Sequence, residues 1–418
     1  MKHNYFIVFL IMLIFIVISF VTNIIDPMGS DVKTSFGLTQ EQTGYLATAL
    51  FLAYAVMSIP SGMLVERFSP KSVLVAAFFL STAGAVAFAS KPAFGTALPS
   101  LFIIGVGFAM LQVVINPLLR VAGGEEHYAF FGNMTQMIFA LGSTVSPHLY
   151  AYLVNGLKDQ STSRNLLFHT LGQMVPAELP WVSLYWVFTV MLLLMAVIII
   201  FLKIPKMELK EDEKVGSIAS ILELLKSRTV WFYFIGIICY VGTEQGVAVW
   251  IREFLQKYHH VDPDLVVKLA VAGFWGAMVL GCAVGLILLK LFDARKVLAT
   301  FAACGVITLL VGLFGPRQAA MIALPMMGFW CSVGWPVVFS LALNSLEKHH
   351  GSFAGILCTG ILGGAVFPPL IGRLGDVFGL RTGMLVIVVT LGYLICIGLY
   401  ARPLVQNATI MKKKAAET

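Results

Sequence analysis

The chain reads as a succession of long apolar runs separated by short polar breaks. The runs fall near residues 5–34, 42–65, 71–90, 96–122, 128–154, 180–203, 229–257, 264–290, 296–314, 318–345, 352–372 and 382–401. Most are close to the ~20 residues that a helix needs to cross the hydrocarbon core of a bilayer. Strands of a membrane barrel would alternate apolar and polar residues over ~10 positions, and these runs do not alternate. The pattern predicts an all-α polytopic membrane protein with twelve spans. The least hydrophobic stretch, 205–228, carries Lys206, Glu208, Lys210, Glu211, Asp212, Glu213, Lys214, Glu223, Lys226 and Arg228. It predicts an N-terminal six-helix bundle over 1–204, a partly helical connecting segment over 205–228 at the membrane surface, and a C-terminal six-helix bundle with a short basic tail over 229–418.

Composition agrees with lipid as the solvent. Of 418 residues, 59% are hydrophobic and 12% charged, against about 25% charged in a soluble domain. The net charge of +7 does not point to nucleic acid, because Lys and Arg sit between the apolar runs and form no stripe with interleaved aromatics. They do predict an orientation. With the N-terminus in the cytoplasm, Lys2, Arg67, Lys71, Arg120, the 203–228 group, Lys290, Arg295, Lys296, Lys348, Arg402 and Lys412 to Lys414 fall inside, more than fall outside. Both termini are therefore expected to be cytoplasmic, in a multi-pass protein of a cell inner membrane. The run after Lys2 has no small-residue cleavage site and reads as a retained first span.

No metal, cofactor or nucleotide chemistry is legible. Cys239, Cys282, Cys304, Cys331, Cys358 and Cys396 lie scattered in apolar stretches without a CxxC spacing, as small packing residues do. His259–His260 and His349–His350 have no third ligand nearby. No phosphate loop, nucleophile elbow or HExxH motif occurs, so the chain is not expected to be an enzyme or to draw on ATP.

The two halves carry a weak repeat. The break after span 2 reads Gly62-x3-Glu66-Arg67-Phe68-x2-Lys71, and the break after span 8 reads Leu291-Phe292-Asp293-x-Arg295-Lys296. Asn116-Pro117 in span 4 is matched by Trp335-Pro336 in span 10. Each proline is expected to interrupt its helix. Repeated halves with interruptions in matching places point to a solute site at their interface.

The first of these loops resembles the signature of the major facilitator superfamily, G-x3-[DE]-R-[FY]-x2-[KR]. The likeness extends over most of the chain to the L-fucose permease branch, the fucose–galactose–glucose proton symporters. It rests on Asn23-Ile24-Ile25-Asp26, Ile59-Pro60-Ser61-Gly62, Asn116-Pro117, Asn133-x2-Gln136-x5-Gly142, Cys239-Tyr240-Val241-Gly242, Pro336-x2-Phe339-Ser340-Leu341, Gly351-Ser352-Phe353 and Gly363-Gly364-x3-Pro368-x3-Gly372-x3-Asp376. The resemblance implies the major facilitator fold, with two bundles rocking about a midplane site. It implies a secondary active transporter, a proton-coupled sugar symporter whose partners are a small solute, a coupling proton and the bilayer. It also implies a gating cluster of Gly62, Glu66, Arg67 and Lys71, in which charges latch one conformation; a plain positive-inside anchor is the other reading.

Candidate site residues follow. Asp26 matches the family's proton-accepting aspartate in span 1, and a carboxylate inside an apolar segment is costly and usually functional; the bland alternative puts Asp26-Pro27 at a solvated outer mouth. Glu244 lies mid-span between Gly242 and Gly246 with Thr243 and Gln245 beside it, placed to hold a proton or grip a hydroxyl. The alternative there is a structural ion pair or hydrogen bond to another helix. Fucose permeases carry a glutamate at the position of Gln112 and an asparagine at that of Phe139. Both polar contacts are altered here, and Glu244 is expected to replace the missing carboxylate from the opposite half. Asn23, Gln112, Asn116, Asn133, Gln136 and Gln245 are candidate partners for solute hydroxyls, with interhelical bonding as the alternative. Tyr54 and Trp275 are candidates for stacking on a ring, as are Trp250 and Trp335. The rival functions are transport or export of a non-sugar solute, sodium-coupled sugar uptake, and a non-transporting membrane sensor.

Overall fold

The computed structural model describes residues 4–23, 25–159, 165–202 and 218–410. These form helices, with no strand among the described residues. Twelve helical stretches are long and apolar enough to cross a membrane, as the hydropathy pattern predicts. Spans 1 to 6 are Tyr5–Asn23, Gln40–Arg67, Pro70–Ser90, Phe94–Gly123, Tyr128–Lys158 and Ser183–Phe201. Span 7 is Arg228–His259, span 8 Phe274–Leu291, span 9 Ala294–Phe314 and span 12 Leu380–Tyr400. Span 10 runs from Arg317 to Leu343 and span 11 from His350 to Phe378.

Each set of six packs as a bundle. Span 4 lies against spans 2 and 3, span 3 against span 6, and span 1 against span 5. In the second set, span 9 lies against spans 10 and 12, span 8 against span 10, and span 7 against spans 11 and 12. Without a hydrophobic drive between helices in lipid, close approach rests on small residues. A Cβ on Gly107 would sit 2.6 Å from the Ala77 carbonyl oxygen, and one on Gly328 would collide with the carbonyl of Phe274. The bundles meet where span 5 packs on spans 8 and 10 and span 11 packs on spans 2 and 4.

Three features differ from the sequence reading, while the break expected at Pro336 is present. The run over 5–34 is helical in both described pieces, Tyr5–Asn23 and Ile25–Phe36, with residue 24 outside the described residues. The run over 264–290 opens with a short helix, Pro263–Val267, and a π-helical turn, Lys268–Gly273, before span 8 proper. Span 10 breaks between Cys331 and Gly334. Pro336 has no N–H to donate to the Ser332 carbonyl, and that oxygen accepts from the Cys282 thiol at 3.7 Å instead. Pro117, expected to break span 4 in the same way, lies inside one continuous helix. A further helix, Leu166–Met174, capped by the Asn165 side chain, sits where only a loop is expected. Residues 205–217 of the expected connecting segment lie outside the described residues; Ile218–Leu225 is helical.

The two ends of the barrel of helices differ. At the end where the described residues begin and finish, here the near end, the bundles are tied together. Arg120 donates through Nε to the Asn344 side-chain oxygen at 3.2 Å and pairs with Glu125 at 3.1 Å. Asn344 in turn donates to the Glu125 carbonyl at 3.2 Å, and its own carbonyl accepts from Leu404 at 2.7 Å. The last described residues add a strap: Ala408 N–H donates to the Glu126 carbonyl at 3.0 Å, while Asn407 bonds the end of span 8 and the start of span 9. At the far end the bundles part and a chamber opens between them.

The tight helix contacts give a direct check. Gly328→Leu forces span 10 away from span 8 and should destabilise the protein by about 1–3 kcal/mol, read as a clear fall in Tm of the detergent-purified chain. Gly276→Ala, at a position where an added Cβ meets nothing within 4 Å, should leave Tm in place; equal behaviour of the two variants would contradict the packing described.

Candidate functional site between the bundles

The chamber has a volume of about 720 Å³ and takes its walls from both bundles. The first bundle supplies Asn23, Phe51, Tyr54, Gln112, Gln136 and Phe139; the second supplies Tyr240, Glu244, Gln245, Trp250 and Trp335. From the buried Gln112, Gln136 and Glu244 it runs towards Tyr45, Arg373 and Asp376, which are exposed at the far end. Span 11 follows the wall closely at Gly364 and Gly372, where a side chain would meet Phe51 or Trp250.

Glu244 stands at the inner part of this chamber, 6% exposed. Tyr240, one turn earlier on the same helix, donates its hydroxyl to Glu244 Oε2 at 2.5 Å. Gln136 reaches across from span 5 and its amide N–H₂ lies 3.3 Å from the Tyr240 oxygen and 3.5 Å from Glu244 Oε2. Gln245 donates to Glu244 Oε1 at 3.2 Å. Every one of these donors is neutral, and no Lys or Arg nitrogen lies within 4 Å of the carboxylate among the described residues. The cluster is thus a carboxylate held by hydrogen bonds from both bundles and balanced by no cation.

On the opposite wall, Gln112 Oε1 and Thr22 Oγ1 are buried and have no hydrogen-bond partner among the described residues, and both residues line the chamber. Such atoms are costly unless something in the chamber bonds them. The rings of Tyr54, Tyr240, Trp250 and Trp335 provide apolar faces between these polar points. The Trp250 indole N–H is fixed by the Pro368 carbonyl at 2.8 Å.

The remaining candidates are placed elsewhere. Asn116 bonds the Gln112 carbonyl at 2.8 Å and accepts from the Tyr128 hydroxyl at 3.2 Å, within the first bundle. Asn133 donates to the Cys282 carbonyl at 2.7 Å, joining span 5 to span 8. Trp275 packs edge-on against Phe139, ring centres 6.2 Å apart. None of the three is a chamber-lining residue. Asn23 lines the chamber and donates to the Ser19 carbonyl at 2.9 Å. Of the gating cluster, Gly62 is buried in span 2, and Lys71 holds the end of span 6 by bonds to the carbonyls of Ile200 and Leu202 at 2.8 and 3.0 Å. The side chains of Asp26, Glu66 and Arg67 lie outside the described residues. Sequence reasoning passed over Tyr240, Thr22 and Arg120. For Tyr240 a signal existed, since a tyrosine four residues before a carboxylate on a helix faces it.

Residues 11–360 match the Major Facilitator Superfamily. The chain belongs to that superfamily. It is a multi-pass membrane transporter, not an enzyme. Among its relatives, a protein of Brucella abortus named glucose/galactose transporter is 30% identical over 93% of this chain and 92% of its own length. The L-fucose-proton symporter of Escherichia coli is 25% identical over 85% of this chain and 84% of its own. In three dimensions the chain superposes on the crystal structure of the E. coli fucose:proton symporter with a TM-score of 0.80, at 21% identity, over 94% of this chain and 98% of that one. A proton:xylose symporter shares the fold at a TM-score of 0.70 and 12% identity.

The division between chamber wall and bundle interior can be tested by ligand binding. Gln136→Ala removes donors at Glu244 worth about 1.5–3 kcal/mol for a charged partner, and transported-solute affinity should fall at least tenfold. Trp275→Phe should change it by less than about threefold while lowering stability, as expected for a packing ring. The reverse ranking in isothermal titration would displace the binding site from the Glu244 wall.

Proposed function

We propose that this chain is a proton-coupled sugar symporter that works by alternating access, with Glu244 as its principal proton-carrying group. The observation that carries the reading is the Glu244 cluster: a buried carboxylate at the seam of the two bundles, bonded by neutral donors from both and facing a chamber. A lone anion at membrane depth is costly, and the cost falls when the group takes up a proton or gains a partner. Sugar hydroxyls in the chamber can bond the cluster, Gln245 and the open acceptors of Gln112 and Thr22. Aromatic faces alternating with amides suit a ring that is apolar on its faces and polar at its edge. The volume lies in the range of small-molecule sites. The names of the relatives support the substrate class.

In this mechanism the near end is cytoplasmic, as the Lys and Arg bias favours, and the structure faces outward. The expected division, with bundles over 1–204 and 229–418 and a connector over 205–228, supplies the two moving bodies in this reading. Protonated carrier binds sugar more tightly than ionised carrier, which links the two loads. Breaking the Arg120–Asn344–Glu125 contacts at the near end while the far end closes then delivers both inside. One proton moving through 100 mV supplies about 2.3 kcal/mol, enough to concentrate a neutral sugar about fifty-fold. Asp26 is a second candidate proton carrier, supported by the likeness of Asn23-Ile24-Ile25-Asp26 to the permease branch. The Glu66–Arg67–Lys71 loop is proposed as the latch.

The test uses proteoliposomes containing a trapped pH dye, with glucose, galactose and L-fucose offered in turn. A transported sugar should acidify the lumen as it enters. Glu244→Gln, a fixed mimic of the protonated acid, should keep sugar exchange across the membrane, lose accumulation by more than tenfold, and flatten the pH dependence of exchange. Asp26→Asn gives the parallel readout for the other carboxylate. Sugar entry that needs sodium and leaves the dye unchanged would refute proton coupling. Full accumulation by Glu244→Gln would remove Glu244 from the role and leave Asp26.

A further inference from the structure

Outside the chamber, at the far end, Arg381, Arg317 and the His259–His260 pair lie at the ends of spans 12, 10 and 7. Arg381, the second residue of span 12, lays its guanidinium over the Tyr258 ring at 5.0 Å and the Phe314 ring at 5.5 Å. Its backbone N–H donates to the Tyr258 hydroxyl at 3.4 Å, which ties span 12 to the end of span 7. Among the described residues, buried Arg381 Nε has no hydrogen-bond partner, and the same holds for His259 Nε2. Arg317 follows Phe314, whose ring Arg381 covers, by three residues. Span 10 begins at Arg317, so the positive end of its helix dipole lies at this end as well. No ion pair involves any of the four among the described residues.

Two guanidinium groups, one with a buried Nε–H that no described residue bonds, are completed by an oxyanion, whose charge-assisted bonds are the strong ones. The surroundings indicate where that oxyanion comes from. Phe314, Phe378 and Val377, at the ends of their spans, are apolar and 58, 65 and 67% exposed. A charged site bordered by exposed apolar surface matches an amphiphile with a phosphate head and acyl chains, while a free ion would need only the charged part.

We propose that Arg381, His259, Arg317 and His260 form a binding site for the phosphate of a membrane phospholipid at the far-end rim. The bound phosphate holds the ends of spans 7, 9, 10 and 12 together. This assignment does not depend on which solute the chamber carries or on how it is coupled.

Native mass spectrometry of the full-length, detergent-purified protein provides the test. Equimolar phosphatidylglycerol, a diacylglycerol of the same chains without phosphate, and millimolar sodium phosphate are the three probes. The wild type should retain phosphatidylglycerol at least fivefold more than diacylglycerol. Arg381→Gln should abolish that preference and Arg317→Gln, at an exposed position, should reduce it two- to threefold. Arg402→Gln removes one charge at the opposite end and should leave it intact. Arg381→Lys keeps the charge and should preserve part of the preference, which separates loss of the site from misfolding. Equal retention of the two lipids by the wild type overturns the proposal, as does full retention by both Arg381→Gln and Arg317→Gln. Thermal stabilisation by sodium phosphate with no lipid preference would also overturn it, by assigning the site to a free anion.

Discussion

A carboxylate carried inside a membrane-spanning helix has three ways to avoid the cost of its charge: pairing with a cation, reaching water, or taking up a proton. Glu244 has closed off the first. Its partners Tyr240, Gln136 and Gln245 are hydrogen-bond donors without charge. The second route opens only as far as the chamber admits water, and at 6% exposure that is little. The third remains, and it makes the group sensitive to whatever else enters the chamber. Any solute that donates hydroxyls to the cluster changes the balance between the charged and neutral forms, and by linkage the proton changes the affinity for that solute. A cation placed beside Glu244 would stabilise the fold locally and destroy this sensitivity, because the carboxylate would stay ionised in every state. The amide-and-phenol shell is therefore the constraint on which a coupled carrier of this geometry depends.

The same reasoning explains how the bundles are joined. If they are to part at the near end, the contacts there must be specific yet cheap to break. A dry apolar seam would not meet that condition, since separating it exposes area at roughly 25 cal/mol per Å². The near end instead uses a few polar links. Arg120, Asn344 and Glu125 form one knot, and the strap at Ala408 adds a single backbone bond to Glu126. Each of these groups can turn to water when the seam opens, so the net change per bond is only about 0.5–1.5 kcal/mol. Within each bundle the logic reverses. Glycines such as Gly107 and Gly328 bring backbones into van der Waals contact, and such packing is lost entirely with a small displacement. Rigid bodies with a soft seam are what this division of interactions produces.

The hydropathy pattern was enough to find twelve spans because lipid imposes one length and one polarity on each. It failed where a missing donor acts within a span. The break in span 10 depends on where the Ser332 carbonyl finds a new donor, in Cys282 on another span. Pro117 shows the limit from the other side: a proline at the matching position leaves its helix continuous, so the residue alone does not decide. The site was legible in part. Glu244 stood out because one carboxylate in an apolar run is conspicuous, and Gln136 because it is an amide in another. Nothing in the sequence separated Gln136 from Asn133, three residues earlier on the same helix. A rotation of about 60° between them sends one amide to Glu244 and the other to the Cys282 carbonyl. Arg120 and Asn344 were visible as individuals, but only the assembled bundles make them partners.

The resemblance to fucose permeases implies a carboxylate on the first-bundle wall, where this chain has Gln112. Here the chamber's inner carboxylate belongs to the second bundle. A carrier tolerates such an exchange for a geometrical reason. What alternating access demands of a proton site is that it face one compartment and then the other while the solute is bound. A group at the seam meets that demand from either wall, because the chamber is common to both bundles and opens by their relative rotation. The wall does matter for the neighbours. With the carboxylate at position 244, the donor that crosses the seam must come from the first bundle, and Gln136 supplies it. The acceptor left behind, Gln112 Oε1, keeps its place on the old wall without a charge and without a partner among the described residues. It retains the capacity to bond a hydroxyl and gives up the capacity to carry a proton. On the proposed reading, the two tasks that a single glutamate can perform are thereby divided between two walls, and the solute is held between them.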